Sequence, residues 1–153
     1  MDDERTLSLV RRHAEAGRVV FSVCTGALVC GAAGVLRGRR ATTHWAAFDL
    51  LRFFGATPVD ARVVIDDNIV TAAGITSGID GALQLAAHVR SEQVAQEIQL
   101  DIQYAPEPPF DSGNPDRAPP AVLSAVSARY RPLTDARRLT ARRIAARLGI
   151  PES

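Results

Sequence analysis

Lysine is absent from this chain of 153 residues, and all 18 of its basic residues are arginine. No single site demands that exclusivity, so it reads as a coding bias toward GC-rich codons. Cysteine is nearly absent: Cys24 and Cys30 stand six positions apart, which fits neither a disulfide framework nor a zinc-binding spacing. Two free thiols suit a reducing compartment. Charge of either sign is not in excess; the net value of +1 provides no general attraction to nucleic acid or to a membrane surface. No apolar run reaches the roughly 20 residues of a membrane span, and the start, Met1-Asp-Asp-Glu-Arg5, is too acidic for a signal peptide. A cytoplasmic protein with no membrane or nucleic-acid partner is the expectation.

What remains is the composition of a globular domain: 46% hydrophobic and 23% charged residues, in a length sufficient for one buried core. The chain is organised around Arg18-Val-Val-Phe-Ser-Val-Cys-Thr-Gly-Ala-Leu-Val-Cys-Gly-Ala-Ala-Gly34. Residues 19–23 read as a short buried strand, and Cys24 and Thr25-Gly26 lead into a small-residue helix over about 27–36. Strand, nucleophile, tight turn and helix form a nucleophile elbow, with sulfur in place of serine. The turn lifts the sulfur out of the sheet. Free N–H groups at the helix start favour thiolate, and Gly26 leaves room for backbone donors to approach an anion. Cys30, inside the helix, reads as an inert packing residue.

A helix over 2–17, ended by Gly17, precedes this strand, with His13 at the surface. Residues 41–43 suggest a strand that ends at His44-Trp45, followed by an amphipathic helix closed by Gly55. His44, at a strand end so soon after the elbow, is the candidate partner for a Cys24 thiolate. Residues 61–65 and 69–73 read as two strands joined at Asp66-Asp67-Asn68. The loop Gly74-Ile-Thr-Ser-Gly78 then opens a helix with Asp80 in its first turn and Ile79, Leu83 and Ala86 as its buried stripe. Gly74 and Thr76 are expected to wall the cleft. Ser91 caps a further helix, and Tyr104–Pro115 is an extended strap, because successive prolines forbid helix. From Ala121 a last helix, interrupted at Pro132, carries seven arginines between Arg129 and Arg147, read as a solvated face.

The ordered series Ser22-Val-Cys-Thr-Gly-Ala27, Gly34-Val-Leu-Arg-Gly38, Arg40-Ala-Thr-Thr-His-Trp45, Thr71-Ala-Ala-Gly-Ile-Thr-Ser-Gly-Ile-Asp80 and Gln99-Leu-Asp-Ile-Gln-Tyr-Ala-Pro-Glu-Pro-Pro-Phe110 resembles the ThiJ/PfpI superfamily, most closely its isonitrile hydratase branch. The strap is the discriminating part. The elbow and Ala-Thr-Thr-His-Trp are shared more widely, including with the amidotransferase-like domains of AraC-type regulators.

The resemblance implies a flavodoxin-like, class I glutamine amidotransferase-like α/β sandwich, commonly homodimeric, with no metal and no organic cofactor. It implies a single domain over 1–153 with 119–153 as its C-terminal helical tail. Cys24 would be the nucleophile, Thr25 its neighbour supplying backbone N–H and hydroxyl, and His44 the histidine near the thiol. Gly26, Trp45, Gly74 and Thr76 would bind substrate or its developing anion. Thr25 stands where protease-like members carry histidine, which argues against peptidase activity. The superfamily's acidic residue follows a first strand that has no counterpart here. The expectation is therefore a domain lacking its N-terminal β-α-β portion, with an unpaired edge on strand 19–23 and little activity as an isolated chain. The implied reaction adds water to an isonitrile to give an N-substituted formamide. The alternatives are a ligand-sensing domain of an AraC-type regulator and a generic cysteine hydrolase or stress protein of the same superfamily.

Overall fold

The computed structural model describes residues 1–151, so the last two positions of the expected 119–153 tail lie outside the described residues. Helix α1 (Glu4–Glu15) begins where the Asp3 carboxylate accepts from the Arg5 N–H, and it buries Leu7. The chain then turns through Gly17, at φ +69°, into β1 (Val20–Val23). Helix α2 (Gly26–Ala32) is shorter than the sequence suggests, because the chain turns through Gly34 at φ +82°.

Strand β1 pairs in parallel with β5 (Ile69–Ala72), and β5 pairs antiparallel with β4 (Val63–Asp66), giving the order β1-β5-β4. β1 is an edge of this sheet, hydrogen-bonded on one side among the described residues. The turn between β4 and β5 passes through Asp67 at φ +55°, the left-handed conformation that a short polar side chain tolerates.

The stretch expected as strand 41–43 forms strand only at β2 (Arg40–Ala41), which pairs in parallel with a two-residue β3 (Thr57–Pro58) that the sequence did not disclose. Thr42 and Thr43 leave the ladder because their polar groups bond elsewhere, as described below. The expected amphipathic helix forms as a 3-10 helix, Trp45–Phe54, closed by Gly55 at φ +68°. Trp45, Phe48 and Leu51 recur at three-residue steps, a repeat that a 3-10 helix aligns on one face. The buried set is nonetheless Ala47, Leu50, Leu51 and Phe54.

Helix α3 (Ser77–Val89) lies against β1 through Gly78 and Gly81 rather than through the expected stripe; Ile79 is 40% exposed. A β-carbon at Gly81 would stand 2.9 Å from the Phe21 ring, so the helix can approach this closely only without one. Ser91 caps α4 (Glu92–Asp101) by accepting from the Val94 N–H at 3.2 Å, as expected.

Helix α5 (Pro120–Leu148) runs unbroken through Pro132, contrary to the expected interruption. Proline inside a helix costs about 3 kcal/mol. Contacts on both sides of Pro132 hold the helix in place. Tyr130 packs on His44 and Trp45, while the Thr134 hydroxyl donates to Ala46 O at 3.0 Å. The C-terminal turns bury Ala141 and Ile144 against the core of Leu7, Leu28, Leu36, Leu50 and Phe54.

Candidate active site

Cys24 sits one residue past β1 with φ +57°, in the left-handed region. A residue with a β-carbon pays about 1–2 kcal/mol for that conformation, so the surroundings must hold it. They do so on both sides. The Cys24 N–H donates to Ala72 O at 2.9 Å, and the Cys24 carbonyl accepts from the Thr43 hydroxyl at 2.8 Å. The expected elbow is therefore present in its backbone conformation, with the thiol half-buried. Its side chain makes no hydrogen bond among the described residues. Thr25 occupies the cap position of α2 without a side-chain capping bond, and α2 itself spans only seven residues from Gly26. Neither the Thr25 nor the Gly26 N–H finds an acceptor among the described residues, so both remain available to a ligand.

The second thiol behaves differently. Cys30 is 3% exposed, and burial pushes its pKa above the ordinary thiol value. The Ser22 hydroxyl opposes that shift, yet it is itself buried and has no partner that meets hydrogen-bond geometry among the described residues.

The segment after β2 is fastened to the elbow. Besides the Thr43 bond, the Thr42 N–H donates to the Thr71 hydroxyl at 2.9 Å, inside β5. This places His44 and Trp45 one and two residues from the contact with Cys24. Nδ1 of His44 accepts from the Ala46 N–H at 3.2 Å, capping the 3-10 helix. That bond places the proton of the neutral ring on Nε2. Burial, and secondarily the Arg137 guanidinium, hold the imidazole pKa below its ordinary value, so the ring is neutral near pH 7. Its centroid lies 5.4 Å from Trp45 and 5.2 Å from Tyr130, and those two rings meet edge-on at 5.8 Å.

Gly74 and Thr76 follow β5 and lie, with Cys24, at the carboxyl ends of the parallel pair, where open α/β sheets bind ligands. Thr76 is exposed and forms the cap position of α3. No hydrogen bond among the described residues joins Gly74 or Thr76 to Cys24. A recess of about 80 Å³ between the strap and α5 is lined by Trp45, Pro115, Ala118, Val122, Leu123 and Val126, among others. A larger one, about 440 Å³, opens between α1 and the end of α2, and none of the candidate residues lines it.

Three contributors escaped the sequence analysis. Thr43 read as a strand residue, Tyr130 lies 86 positions after His44 (130 − 44), and Asp80 read only as a first-turn acid. Asp80 accepts from the Arg62 Nε at 2.6 Å and from the Tyr104 hydroxyl at 2.7 Å, tying the residue before β4, α3 and the strap together at this end of the sheet. Only the position of Thr43, between a strand end and His44, offered any signal.

The DJ-1/PfpI family model matches residues 1–88, the half that carries the elbow, Thr43, His44 and the Gly74 loop. The chain belongs to the DJ-1/PfpI family. It is 52% identical over 150 residues to an isonitrile hydratase of Pseudomonas putida, covering 98% of this chain and 66% of the hydratase. A ThiJ/PfpI family protein from Pseudomonas syringae superposes with a TM-score of 0.86 at 38% identity, over 94% of this chain and 57% of that one. The chain thus spans between 57% and 66% of the length of these two relatives. A third relative, the HTH-type transcriptional regulator CdhR of Pseudomonas aeruginosa, is 33% identical over 91 residues, 58% of this chain and 27% of the regulator. The mixed α/β architecture and the elbow are those that the resemblance led one to expect. Among the described residues, no helix is long and apolar enough to cross a membrane.

Proposed function

We propose that this chain carries the chemistry of an isonitrile hydratase, with Cys24 as nucleophile. The observation that carries the proposal is the 52% identity to an isonitrile hydratase across 98% of this chain, a span that includes Cys24 and the strap. The Cys24 thiol gives up its proton, and the sulfur bonds to the terminal carbon of R–N≡C. A proton added to that carbon gives the thioimidate R–N=CH–S–Cys24. Water then adds across C=N, its oxygen to carbon and a proton to nitrogen. Collapse of the tetrahedral adduct breaks the C–S bond, returns the thiolate and releases R–NH–CHO and a proton. The free Thr25 and Gly26 N–H groups and the Thr25 hydroxyl are the proposed donors to charge that develops near the sulfur. The neutral His44, with Trp45, Gly74 and Thr76, is proposed to wall the site. A homodimer is the proposed assembly, by family resemblance.

Infrared loss of the N≡C stretch with formation of the formamide tests the proposal. The expected result is slow, Cys24-dependent turnover in this chain, absent in Cys24→Ala. Equal loss with both proteins would refute it.

The similarity to a transcriptional regulator supports a second reading, a ligand-sensing domain. A sequence-specific DNA complex whose affinity falls steeply with salt would favour that reading. The exposed arginines of α5 are expected to give only weak, non-specific binding at low salt.

A further inference from the structure

The strained backbone of Cys24 needs a restraint that α2 and the sheet do not fully supply. β5 fixes the N–H of Cys24, but the carbonyl lies beyond the β1–β5 ladder, where α2 reaches it only through a long 3.4 Å bond from the Ala27 N–H. The short bond to that carbonyl, at 2.8 Å, comes from a side chain 19 residues away, that of Thr43. Thr43 is 1% exposed, and its neighbour Thr42 is tied to Thr71, so the hydroxyl is held in place from behind.

We infer that Thr43 is a positioning residue for the nucleophile: its hydroxyl holds Cys24 in the left-handed conformation and fixes the plane of the Cys24–Thr25 peptide. The Cys24–Thr25 peptide is trans, as is every peptide bond among the described residues, so its carbonyl and its N–H point in opposite directions. Anchoring the carbonyl on Thr43 turns the Thr25 N–H away from Thr43, which accounts for its lack of a protein acceptor. One buried hydroxyl thereby sets both the exit angle of the sulfur and the aim of the nearest backbone donor. The inference does not depend on what the cysteine attacks, since it concerns the elbow itself.

The test compares Thr43→Val, which keeps the shape and removes the hydroxyl, with Thr43→Ser, which keeps the hydroxyl. The reading is iodoacetamide labelling of Cys24 at fixed pH, resolved from Cys30 by peptide mapping. Thr43→Val is expected to slow Cys24 labelling by about tenfold, roughly what one ordinary hydrogen bond is worth. Thr43→Ser should restore most of the rate, and Cys30 should stay protected in both. An unchanged Cys24 rate in Thr43→Val would overturn the inference. Faster labelling of both thiols would also overturn it, because that is the mark of general loosening. Should Thr43→Val fail to fold, thermal midpoints of Thr43→Ser and Thr43→Ala decide, each measured with Cys24 and with Cys24→Gly. Glycine needs no restraint at positive φ, so Ala in place of Ser should cost clearly less in the Cys24→Gly background. Equal costs in the two backgrounds would reject the restraint. Loss of isonitrile turnover in the unmutated chain, with these labelling results intact, would discard the proposed reaction and leave the role of Thr43 standing.

Discussion

Tyr104 donates its phenolic hydrogen to the Asp80 carboxylate at 2.7 Å, the same carboxylate that pairs with Arg62 at 2.5 Å. This contact anchors the first residue of the proline-rich strap to the helix that follows β5. Tyr104→Phe is therefore expected to loosen the strap and leave the core intact. Limited proteolysis should show faster cleavage within 105–118 with only a small drop in thermal midpoint; unchanged cleavage would show that the bond does not anchor the strap.

The same bond gives a pH dependence. Donation to Asp80, ahead of smaller effects, raises the Tyr104 pKa above its ordinary value. A raised folded-state value means that the contribution is complete below the unfolded tyrosine pKa of about 10 and is lost as pH rises through the higher folded value. In a Tyr130→Phe background, the remaining phenol should ionise above its ordinary value, read by phenolate absorbance, and Asp80→Asn should lower that value.

His44 titrates with the opposite consequence. Its pKa is lowered by burial and then by Arg137, so the unfolded state binds the proton more readily. Stability linked to His44 should fall as pH drops through about 6.5, the unfolded value. Arg137→Gln is expected to raise the His44 titration midpoint toward that value, followed by proton NMR of the ring. A midpoint at or above 6.5 in the unmutated chain would contradict the stated environment.

The ring of Phe54 occupies the space that a β-carbon on Gly31 would need, where α2 crosses the 3-10 helix. Gly31→Ala should destabilise the chain by about 1–3 kcal/mol through overpacking. Gly113→Ala, with nothing within 4 Å of its added carbon, is expected to be nearly neutral. Denaturant unfolding of the pair checks both, and equal midpoints would remove the packing argument.

The elbow was legible because its signal is local: a β-branched run, Cys24-Thr-Gly26 and a small-residue helix adjoin in sequence. The hairpin around Asp67 and the Ser91 cap were legible for the same reason. Long-range contacts were not. The continuity of α5 through Pro132 depends on Tyr130 meeting His44 and Trp45 and on Thr134 reaching Ala46, pairings 85 to 88 positions apart by the numbering that no local pattern encodes. The shortened β2 has the same origin, since the bonds of Thr42 and Thr43 to Thr71 and Cys24 draw them out of a strand that β-propensity alone favours. For α3 the apolar stripe misled, because glycines rather than large side chains make its closest approach to β1.

The two thiols provide a direct comparison of environments. Cys30 is buried and held in its thiol form, whereas Cys24 is half-exposed at the elbow. Brief iodoacetamide treatment near neutral pH should label Cys24 well before Cys30. Equal labelling, or Cys30 first, would remove the elbow argument.

The most direct test of the central claim is intact-mass analysis and peptide mapping of the chain after exposure to an alkyl isonitrile. The expected result is a mass gain of one isonitrile per chain, mapped to Cys24, which decays to free enzyme and N-substituted formamide and does not form in Cys24→Ala. An adduct on Cys30, or formamide released by Cys24→Ala at the unmutated rate, would contradict it.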